Sequence, residues 1–308
     1  MFRTYKGRLA LISVVAVGAA VALSGCSTGS PLSSGSSGTS SGDTLVVGSQ
    51  DYYSNEIVAE IYAQALEAKG FTVQRDFRIG QREVYLPEIE QGKIDVFPEY
   101  TGDLLQALDP KAVSGSTDEV YAALQKAIPS NLRALDQAGA SDGNTWTVTK
   151  AFADSYNLTD IASLTNVTEP IQVGGNSELA TRPYGTTALE EKYGVKIAGF
   201  IPVEDGGGPL TVKALEDNQI QLTNIYTASP AWASGKLVAL TDPDHLFFPS
   251  NVVPIVSKKV DDTAATVLND ISAKLSEKEL VSLNDQSVNE QKSAAVLATA
   301  WLKHNGLG

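Results

Sequence analysis

Hydrophobic and polar positions in residues 44–97 alternate between two periods. Short, nearly continuous apolar runs are typical of buried strands, whereas apolar residues three or four positions apart are typical of an amphipathic helix. The pattern predicts strands at 44–48, 71–79 and 94–97 and helices at 55–69 and 83–91. Pro87 fits the second helix only if it lies in the first turn, where a missing N–H has little effect. This β-α-β-α-β order with short connections predicts a parallel sheet.

The alternation continues to the end of the chain. Further strands are predicted at 146–149, 171–175, 197–203, 221–226, 237–240 and 252–256. Further helices are predicted at 104–108, 117–135, 161–164, 186–193, 209–217, 264–275, 277–283 and 293–304. A chain of 308 residues, of which 43% are hydrophobic, is long enough for two α/β lobes that each have a core.

The strand at 94–97 is followed at once by Pro98, which cannot donate to a sheet ladder. The strand is therefore expected to end there, with Tyr100 in a loop at its carboxyl end. Ligands of open α/β sheets bind at that end of the strands. Tyr100 is accordingly a candidate wall of a small-molecule pocket, although a strand that ends in a solvated turn fits the same residues.

A weak repeat of this segment occurs in the second half of the chain. Residues 84–100 and 212–226 both read as a short helix, a strand and a loop that carries a tyrosine, Tyr100 in the first copy and Tyr226 in the second. Two lobes that each direct a tyrosine into a shared cleft would form a clamshell. Two unrelated tandem α/β units are the alternative, but a cleft between lobes is a favoured ligand site.

The first 26 residues carry the features of an export signal. Basic residues precede an apolar segment at 9–23, which is shorter than the roughly 20 residues that span a membrane. The small residues before Cys26 resemble a bacterial lipobox, which predicts a signal peptide at 1–25 and lipidation of Cys26. An ordinary signal peptide with a chance cysteine is the alternative. The Ser/Gly-rich segment 26–43 cannot form a core and is expected to be a flexible tether.

Charge and residue usage argue against several classes of function. Asp and Glu outnumber Lys and Arg by 36 to 23, which argues against nucleic-acid binding because that requires basic patches. One cysteine and two histidines, His245 and His304, offer neither an intrachain disulfide nor a metal cluster. There is no phosphate loop, and the glycines at 206–208 read as a turn or hinge. The chain is therefore not expected to be an enzyme or to carry a cofactor.

Residues 94–102, Ile-Asp-Val-Phe-Pro-Glu-Tyr-Thr-Gly, resemble a motif of a known bacterial family. The family is that of the ABC-transporter binding proteins for quaternary amines, which serve the uptake of glycine betaine, choline and carnitine. Shorter similarities occur in the same order along the chain, at 48–50, 144–146, 182–185, 247–249 and 283–284.

The resemblance implies an α/β, two-lobed type II periplasmic-binding-protein fold. Two crossover hinge strands, near 145–149 and 252–256, would join the lobes. Lobe 1 would comprise residues 44–144 and 252–308, and lobe 2 would comprise residues 145–251. The ligand would bind in the cleft between them.

The resemblance also implies how a ligand is held. In the family a trimethylammonium group lies in a box of tyrosines through cation–π attraction, and a carboxylate, when present, meets basic and hydroxyl side chains. Tyr100 and Tyr226 match two box tyrosines, one on each lobe. Arg182 matches the carboxylate-binding arginine.

Five positions depart from the family pattern. Trp146 stands where a tyrosine is usual and keeps the cation–π role, whereas Asn251 replaces the last box tyrosine and removes a wall. Asn144 stands in place of an acidic residue of some members, and Gln50 in place of a lysine. Asp103 replaces a threonine that would contact the carboxylate, and it would repel that group unless the carboxylate-binding arginine paired with it. The expected ligand is a betaine, a choline-like cation or a larger or flatter relative.

These features predict the solute-capturing subunit of an ABC importer. It would be extracytoplasmic, anchored to the bacterial cell membrane through the lipid on Cys26, and would dock on the permease and ATPase subunits of its transporter. A sensor or interaction lipoprotein that reuses the fold is the alternative, and a hydrolase or lyase on the same scaffold is a third possibility.

Overall fold

The structure is a computed structural model that describes residues 44–308. The predicted signal peptide (1–25), the lipidation site Cys26 and the tether (26–43) lie outside the described residues. The described part contains the strands β1 Leu45–Gly48, β2 Val73–Asp76, β3 Val96–Tyr100, β4 Leu132–Ala134, β5 Trp146–Thr149, β6 Ile171–Gly175, β7 Ile197–Pro202, β8 Leu222–Asn224, β9 Leu237–Ala239 and β10 Val252–Ser257. They form two five-stranded sheets, ordered β2-β1-β3-β10-β4 in sheet 1 and β7-β6-β8-β5-β9 in sheet 2.

Helices connect most of the strands. The α-helices are α1 Tyr53–Ala68, α2 Arg82–Glu90, α3 Thr101–Leu108, α4 Thr117–Ala127, α5 Lys150–Tyr156, α6 Thr186–Ala188, α7 Pro209–Glu216, α8 Asp262–Lys274, α9 Glu277–Val288 and α10 Ala294–Asn305. Short 3-10 turns lie at Ala162–Asn166, Ser177–Ala180 and Pro230–Ser234, and a π-helical turn at Leu189–Tyr193 continues α6. The apolar residues of α1 are buried in the core of sheet 1, where α1 packs against α8, α9 and α10. Within residues 44–308, no helix has the length and apolar character needed to cross a lipid bilayer.

Both sheets follow one plan. In each, three parallel strands lie side by side, β2-β1-β3 in sheet 1 and β7-β6-β8 in sheet 2. An antiparallel strand then pairs with the third, β10 with β3 and β5 with β8. The pairs α2–β3 and α7–β8 therefore occupy equivalent places, and the repeat predicted from residues 84–100 and 212–226 is a repeat of the fold.

The prediction that Pro98 ends its strand is wrong. β3 continues through Pro98 to Tyr100, because β10 runs antiparallel beside it and places Pro254 opposite Pro98. Opposed residues of a non-hydrogen-bonded pair need no N–H between the strands. The Pro98 carbonyl accepts from Asn55 Nδ2 at 2.8 Å and the Pro254 carbonyl from Leu135 N at 2.9 Å, so both point away from each other. Tyr100 is thus the last residue of a buried strand.

The helix predicted at 117–135 is too long. α4 ends at Ala127, and Ile128 is extended, as expected for a residue before a proline such as Pro129. Residues 132–134 form β4, which pairs with β10 at the edge of sheet 1. The second half of the predicted helix is therefore a turn followed by an edge strand of sheet 1.

Two smaller differences concern positions near the cleft. Pro87 lies in the second turn of α2 and not in the first, so this helix has one backbone hydrogen bond fewer; the proline is on its exposed side. β8 ends before Tyr226, which lies in the following loop. Successive side chains of a strand point to opposite faces of the sheet, and a residue in a loop is not bound by this rule.

Two segments, 135–145 and 240–251, connect the sheets. They touch through an isolated antiparallel bridge between Ser141 and Asn251. The strands predicted to cross between lobes are β5 and β10, and each of them belongs to one sheet; the crossing occurs in the residues just before them. The exact boundaries of the lobes stay a prediction.

Candidate functional site

A cavity of about 40 Å³ lies at the carboxyl ends of the parallel strands of both sheets. Its walls come from residues at or after the ends of β1, β3, β6 and β8 and from the crossover segment 135–145. Open α/β sheets bind their ligands at this end of the strands. Most of the binding residues predicted from the sequence line the cavity: Gln50, Tyr100, Asp103, Asn144, Arg182 and Tyr226.

A larger groove of about 320 Å³ adjoins the cavity. It lies between the helices α2 and α3 of the sheet 1 side and residues 181–184 of the sheet 2 side. Four residues line both spaces: Arg82, Asp103, Arg182 and Tyr184. The groove therefore gives the cavity an approach from the protein surface.

Three tyrosines from both sheets meet in the cavity wall, and the central one, Tyr52, was not predicted. The Tyr52 ring lies 5.3 Å from the Tyr226 ring and 6.4 Å from the Tyr100 ring, centroid to centroid. The Tyr52 and Tyr100 hydroxyls are joined by a hydrogen bond. Burial raises the pKa of all three phenols, so they stay protonated at neutral pH. The three neutral rings form an aromatic cluster to which a cation would be attracted.

A buried carboxylate, Asp142, adjoins the tyrosines and is only 2% exposed. One of its oxygens accepts from Ser54 Oγ at 3.0 Å and from the Tyr52 hydroxyl at 3.3 Å. The other accepts from Ala228 N at 3.0 Å. Burial raises the pKa of Asp142 to about 6, against the opposing effect of these donors. At neutral pH the cavity therefore holds a carboxylate beside its aromatic rings.

Asp103 forms no ion pair with Arg182. Such a pair was the arrangement in which Asp103 would not repel a ligand carboxylate. Its Oδ1 accepts from Asn144 Nδ2 at 2.6 Å, and its Oδ2 accepts from Ser250 Oγ at 2.8 Å. Asn144 in turn accepts from the side-chain amide of Asn224 on β8. Asp103, at the start of α3, is thus connected to both crossover segments and through Asn144 to sheet 2. Both carboxylate oxygens of Asp103 thus have a hydrogen-bond donor.

Two arginines line the cavity where it meets the groove. Arg82 is buried and forms a two-point ion pair with the fully buried Glu99, at 2.9 and 2.8 Å. The Tyr85 hydroxyl also donates to Glu99, at 2.6 Å. Burial lowers the pKa of Arg82, but the Glu99 carboxylate outweighs this effect and the net shift is upward. Arg182 contacts Glu83 across the cleft at 3.1 Å; because Glu83 is 56% exposed, this pair can exchange partners easily.

Two buried polar atoms of the lining residues have no hydrogen-bond partner within residues 44–308. They are Gln50 Nε2, a donor, and Glu178 Oε2, an acceptor. Buried polar atoms without a partner are uncommon, and each requires a physical explanation. A solute or water in the cavity would supply a partner for both.

Trp146 and Asn251 were also predicted to contact the ligand, but neither lines the cavity. Trp146 is fully buried on β5, in the hydrophobic core of sheet 2, with its ring 6.4 Å from that of Phe247. Asn251 Nδ2 donates to the Ala138 carbonyl at 2.9 Å, and its backbone N–H donates to Thr101 Oγ1 at 3.0 Å. The first residue therefore packs in the core and the second holds a crossover segment in place. A contact of either residue with a ligand stays a prediction.

Several lining residues were missed by the sequence reasoning: Tyr52, Arg82, Asp142, Glu178 and Tyr184. Tyr52 and Glu178 follow β1 and β6 closely, so the strand-end rule that singled out Tyr100 would have found them. Arg82 and Asp142 carry no such local signal. Their positions depend on where α2 and the crossover segment come to lie in the folded chain.

The acidic residues of the cavity do not form a metal site. Asp103 and Asp142 are both occupied by hydrogen-bond donors. In the part of the chain that the structure describes, no group of three or more His, Cys, Asp or Glu side chains could hold a metal ion.

Comparisons with known proteins agree with this architecture. Residues 43–304 match the family model described as the substrate binding domain of the ABC-type glycine betaine transport system. The carnitine transport binding protein OpuCC of Listeria monocytogenes is 24% identical over 309 residues, which cover 97% of each chain. The glycine betaine-binding protein YehZ of Escherichia coli strain K12 is 26% identical over 278 residues, which cover 84% of this chain and 90% of the relative.

The same fold occurs in a solved structure described as a glycine betaine/carnitine/choline ABC transporter. The two superpose with a TM-score of 0.66 at 19% identity, covering 85% of this chain and 99% of the other. The two-lobed α/β fold and the resemblance carried by residues 94–102 are thereby confirmed. The chain belongs to the family of substrate-binding domains of ABC-type glycine betaine transport systems.

Proposed function

We propose that this chain is the solute receptor of an ABC importer and that its solute is a zwitterion with a quaternary ammonium group. One observation carries the proposal: a single cavity combines three tyrosines and a buried carboxylate with two arginines. A betaine has a positive and a negative end, which these two kinds of lining match. Of the predicted residues that line the cavity, Gln50, Tyr100, Arg182 and Tyr226 contact the ligand in this proposal, while Asp103 and Asn144 are hydrogen-bonded to each other and hold the lining in place.

The ammonium end binds against the cluster formed by the rings of Tyr52, Tyr100 and Tyr226. A quaternary ammonium has no N–H, so it gains from aromatic faces and from charge and not from hydrogen bonds. Cation–π attraction contributes about 0.5–2 kcal/mol for such a contact, and more when water is excluded. Asp142 supplies the counter-charge beside the rings.

The carboxylate end binds at the junction of cavity and groove. Arg182 is the main donor, because its present partner Glu83 is exposed and is easily replaced. Arg82 adds positive potential but remains held by Glu99. Gln50 Nε2 donates the hydrogen bond for which the folded chain offers no acceptor.

Calorimetric titration of the purified chain with glycine betaine, carnitine and choline tests the proposal. We expect at least one betaine to bind with micromolar affinity, on the order of −8 kcal/mol. Choline lacks the carboxylate and should bind more weakly than the betaines. Absence of binding by all three compounds would refute a quaternary-amine ligand.

An Arg182→Ala variant separates the two ends of the ligand. It should weaken betaine binding strongly and leave choline binding nearly unchanged, since choline has no group for the guanidinium. Arg133→Ala is a matched control, because Arg133 does not line the cavity. Equal losses for betaine and choline would place the carboxylate elsewhere.

The family acts in ABC-type transport and consists of binding proteins, so the partners we propose are a permease and its ATPase subunits. We further propose that the chain is held outside the cytoplasm by lipid on Cys26. The 16 residues from 27 to 42 would then span roughly 20–24 Å as a flexible tether. A Cys26→Ser variant should move from the membrane fraction to the soluble extracytoplasmic fraction. Retention in the membrane fraction would contradict the lipid anchor.

A further inference from the structure

Glu178 differs from the other acidic residues and from the arginines that line the cavity. Those residues are Arg82, Asp103, Asp142 and Arg182, and each forms ion pairs or hydrogen bonds with side chains or backbone of the chain. The Glu178 side chain forms no hydrogen bond and no ion pair within residues 44–308, and its Oε2 is buried. The cavity therefore contains one carboxylate whose hydrogen-bonding capacity the described protein leaves unused.

The position of Glu178 defines which part of a ligand it meets. It belongs to the 3-10 turn Ser177–Ala180, directly after β6. The backbone N–H of Arg182 donates to the Glu178 carbonyl at 3.1 Å, so the two residues share one turn of chain. Glu178 thus lies beside the arginine that we assign to the ligand carboxylate.

A bare carboxylate at that place would repel the carboxylate of a betaine. The repulsion is relieved when the ligand places a hydrogen-bond donor against Glu178, because a hydroxyl or N–H to an ionised acceptor forms a strong hydrogen bond. A ligand without such a donor leaves the acceptor unsatisfied and loses affinity.

We propose that Glu178 makes this cavity selective for quaternary-amine zwitterions that carry an additional hydroxyl or N–H donor between or beside their charged ends. The inference rests on the proposed function and deepens it. Glycine betaine, which has no donor, would then be a weaker ligand than a betaine of similar length with a hydroxyl.

Carnitine and butyrobetaine form a matched pair of probes, because they differ only in the carnitine hydroxyl. Their dissociation constants are measured by calorimetry for the unaltered chain, for Glu178→Ala and for Glu190→Ala. Glu190 is exposed and outside the cavity lining, so its substitution removes the same charge without touching the site.

We expect the unaltered chain and Glu190→Ala to bind carnitine about tenfold to a hundredfold more tightly than butyrobetaine. In Glu178→Ala the two dissociation constants should become equal within about twofold. A loss of affinity for both ligands by the same factor would show that Glu178 faces the ammonium group and would overturn the proposal.

Equal affinities in the unaltered chain would also overturn it, while the proposed function would stand. Failure of both compounds and of glycine betaine and choline to bind would refute the proposed function, and the role of Glu178 with it. The two failures are therefore distinguishable.

Discussion

The rings of Tyr52 and Tyr226 lie 5.3 Å apart, centroid to centroid, with an angle of 33° between their planes. Tyr52 follows β1 of sheet 1 and Tyr226 follows β8 of sheet 2, so this contact joins the two halves of the fold. Opening the cleft would separate the two rings and take the aromatic cluster apart. The cation site that we propose would therefore be complete only when the cleft is closed.

Removal of the Tyr226 ring should weaken the binding of betaines. We expect Tyr226→Ala to reduce the affinity by about 0.5–2 kcal/mol and Tyr226→Phe to retain most of it, because the attraction arises from the ring face. Calorimetric titration with the tightest-binding betaine measures the change. Tyr156→Ala is the control, since Tyr156 packs against Phe152 away from the cavity. An unaltered affinity of Tyr226→Ala would place the ammonium group elsewhere.

Binding of a cation should depend on pH through Asp142. Burial raises the pKa of this carboxyl to about 6, and a bound cation favours the ionised form. Affinity is therefore expected to rise with pH through about 6 and to level off above 7. For glycine betaine, the affinity at pH 5 should be about tenfold lower than at pH 7.

Titrations at several pH values in matched ionic strength measure this dependence. Asp142 accepts hydrogen bonds from Tyr52, Ser54 and the Ala228 N–H, and none of these three donors changes charge between pH 5 and 7. The Asp103 carboxylate adds to the effect of burial in raising the pKa of Asp142. Asp142→Asn should flatten the profile across the same range. A wild-type profile that is already flat would exclude Asp142 as the counter-charge.

The ion pair of Arg82 and Glu99 should matter for stability more than any surface pair. Glu99→Ala leaves a buried guanidinium without its carboxylate, which is expected to lower the free energy of unfolding by about 3–5 kcal/mol. Asp154→Ala removes the exposed pair with Lys150 and should change it by less than about 1 kcal/mol. Urea denaturation followed by circular dichroism compares the two. Similar small losses in both variants would mean that water reaches Arg82 in solution.

Gly206 should be required for the position of Tyr52. It has a φ of +64°, and a Cβ at this residue would lie 2.6 Å from the Tyr52 Cβ. Gly194 has a similar φ of +71°, but a Cβ there would have no other atom within 4 Å, so Gly194→Ala is a matched control for backbone strain. We expect both alanine variants to lose stability by about 1–2 kcal/mol and only Gly206→Ala to lose ligand affinity as well. Equal affinities in the two variants would show that the cleft does not depend on this contact.

The strand-end rule explains which parts of the site could be found in the sequence. Tyr100 and Tyr226 stand at equivalent places after a helix and a strand, and the repeat of that pattern predicted two tyrosines in one cleft. Both line the cavity, although one ends a strand and the other lies in a loop. Local periodicity carries this information because it reports which residues are buried and where strands stop.

The other features of the site depend on the pairing of segments that lie far apart in the chain. Pro98 remains in its strand because Pro254, far along the chain, lies opposite it in the sheet. Asp103 is hydrogen-bonded to Asn144 and Ser250, which reach it from the crossover segments, and forms no ion pair with Arg182. These contacts join residues that no local pattern relates.

By itself the sequence determined the α/β class, the repeated helix–strand–tyrosine unit and the family, since these depend on local periodicity and on one short motif. Only the tertiary structure placed Tyr52 between the other two tyrosines, Asp142 beside them, and Trp146 in the core. The physical reason is that burial and charge pairing at a site depend on which elements come together across the cleft. A residue's own neighbours in the chain do not encode that arrangement.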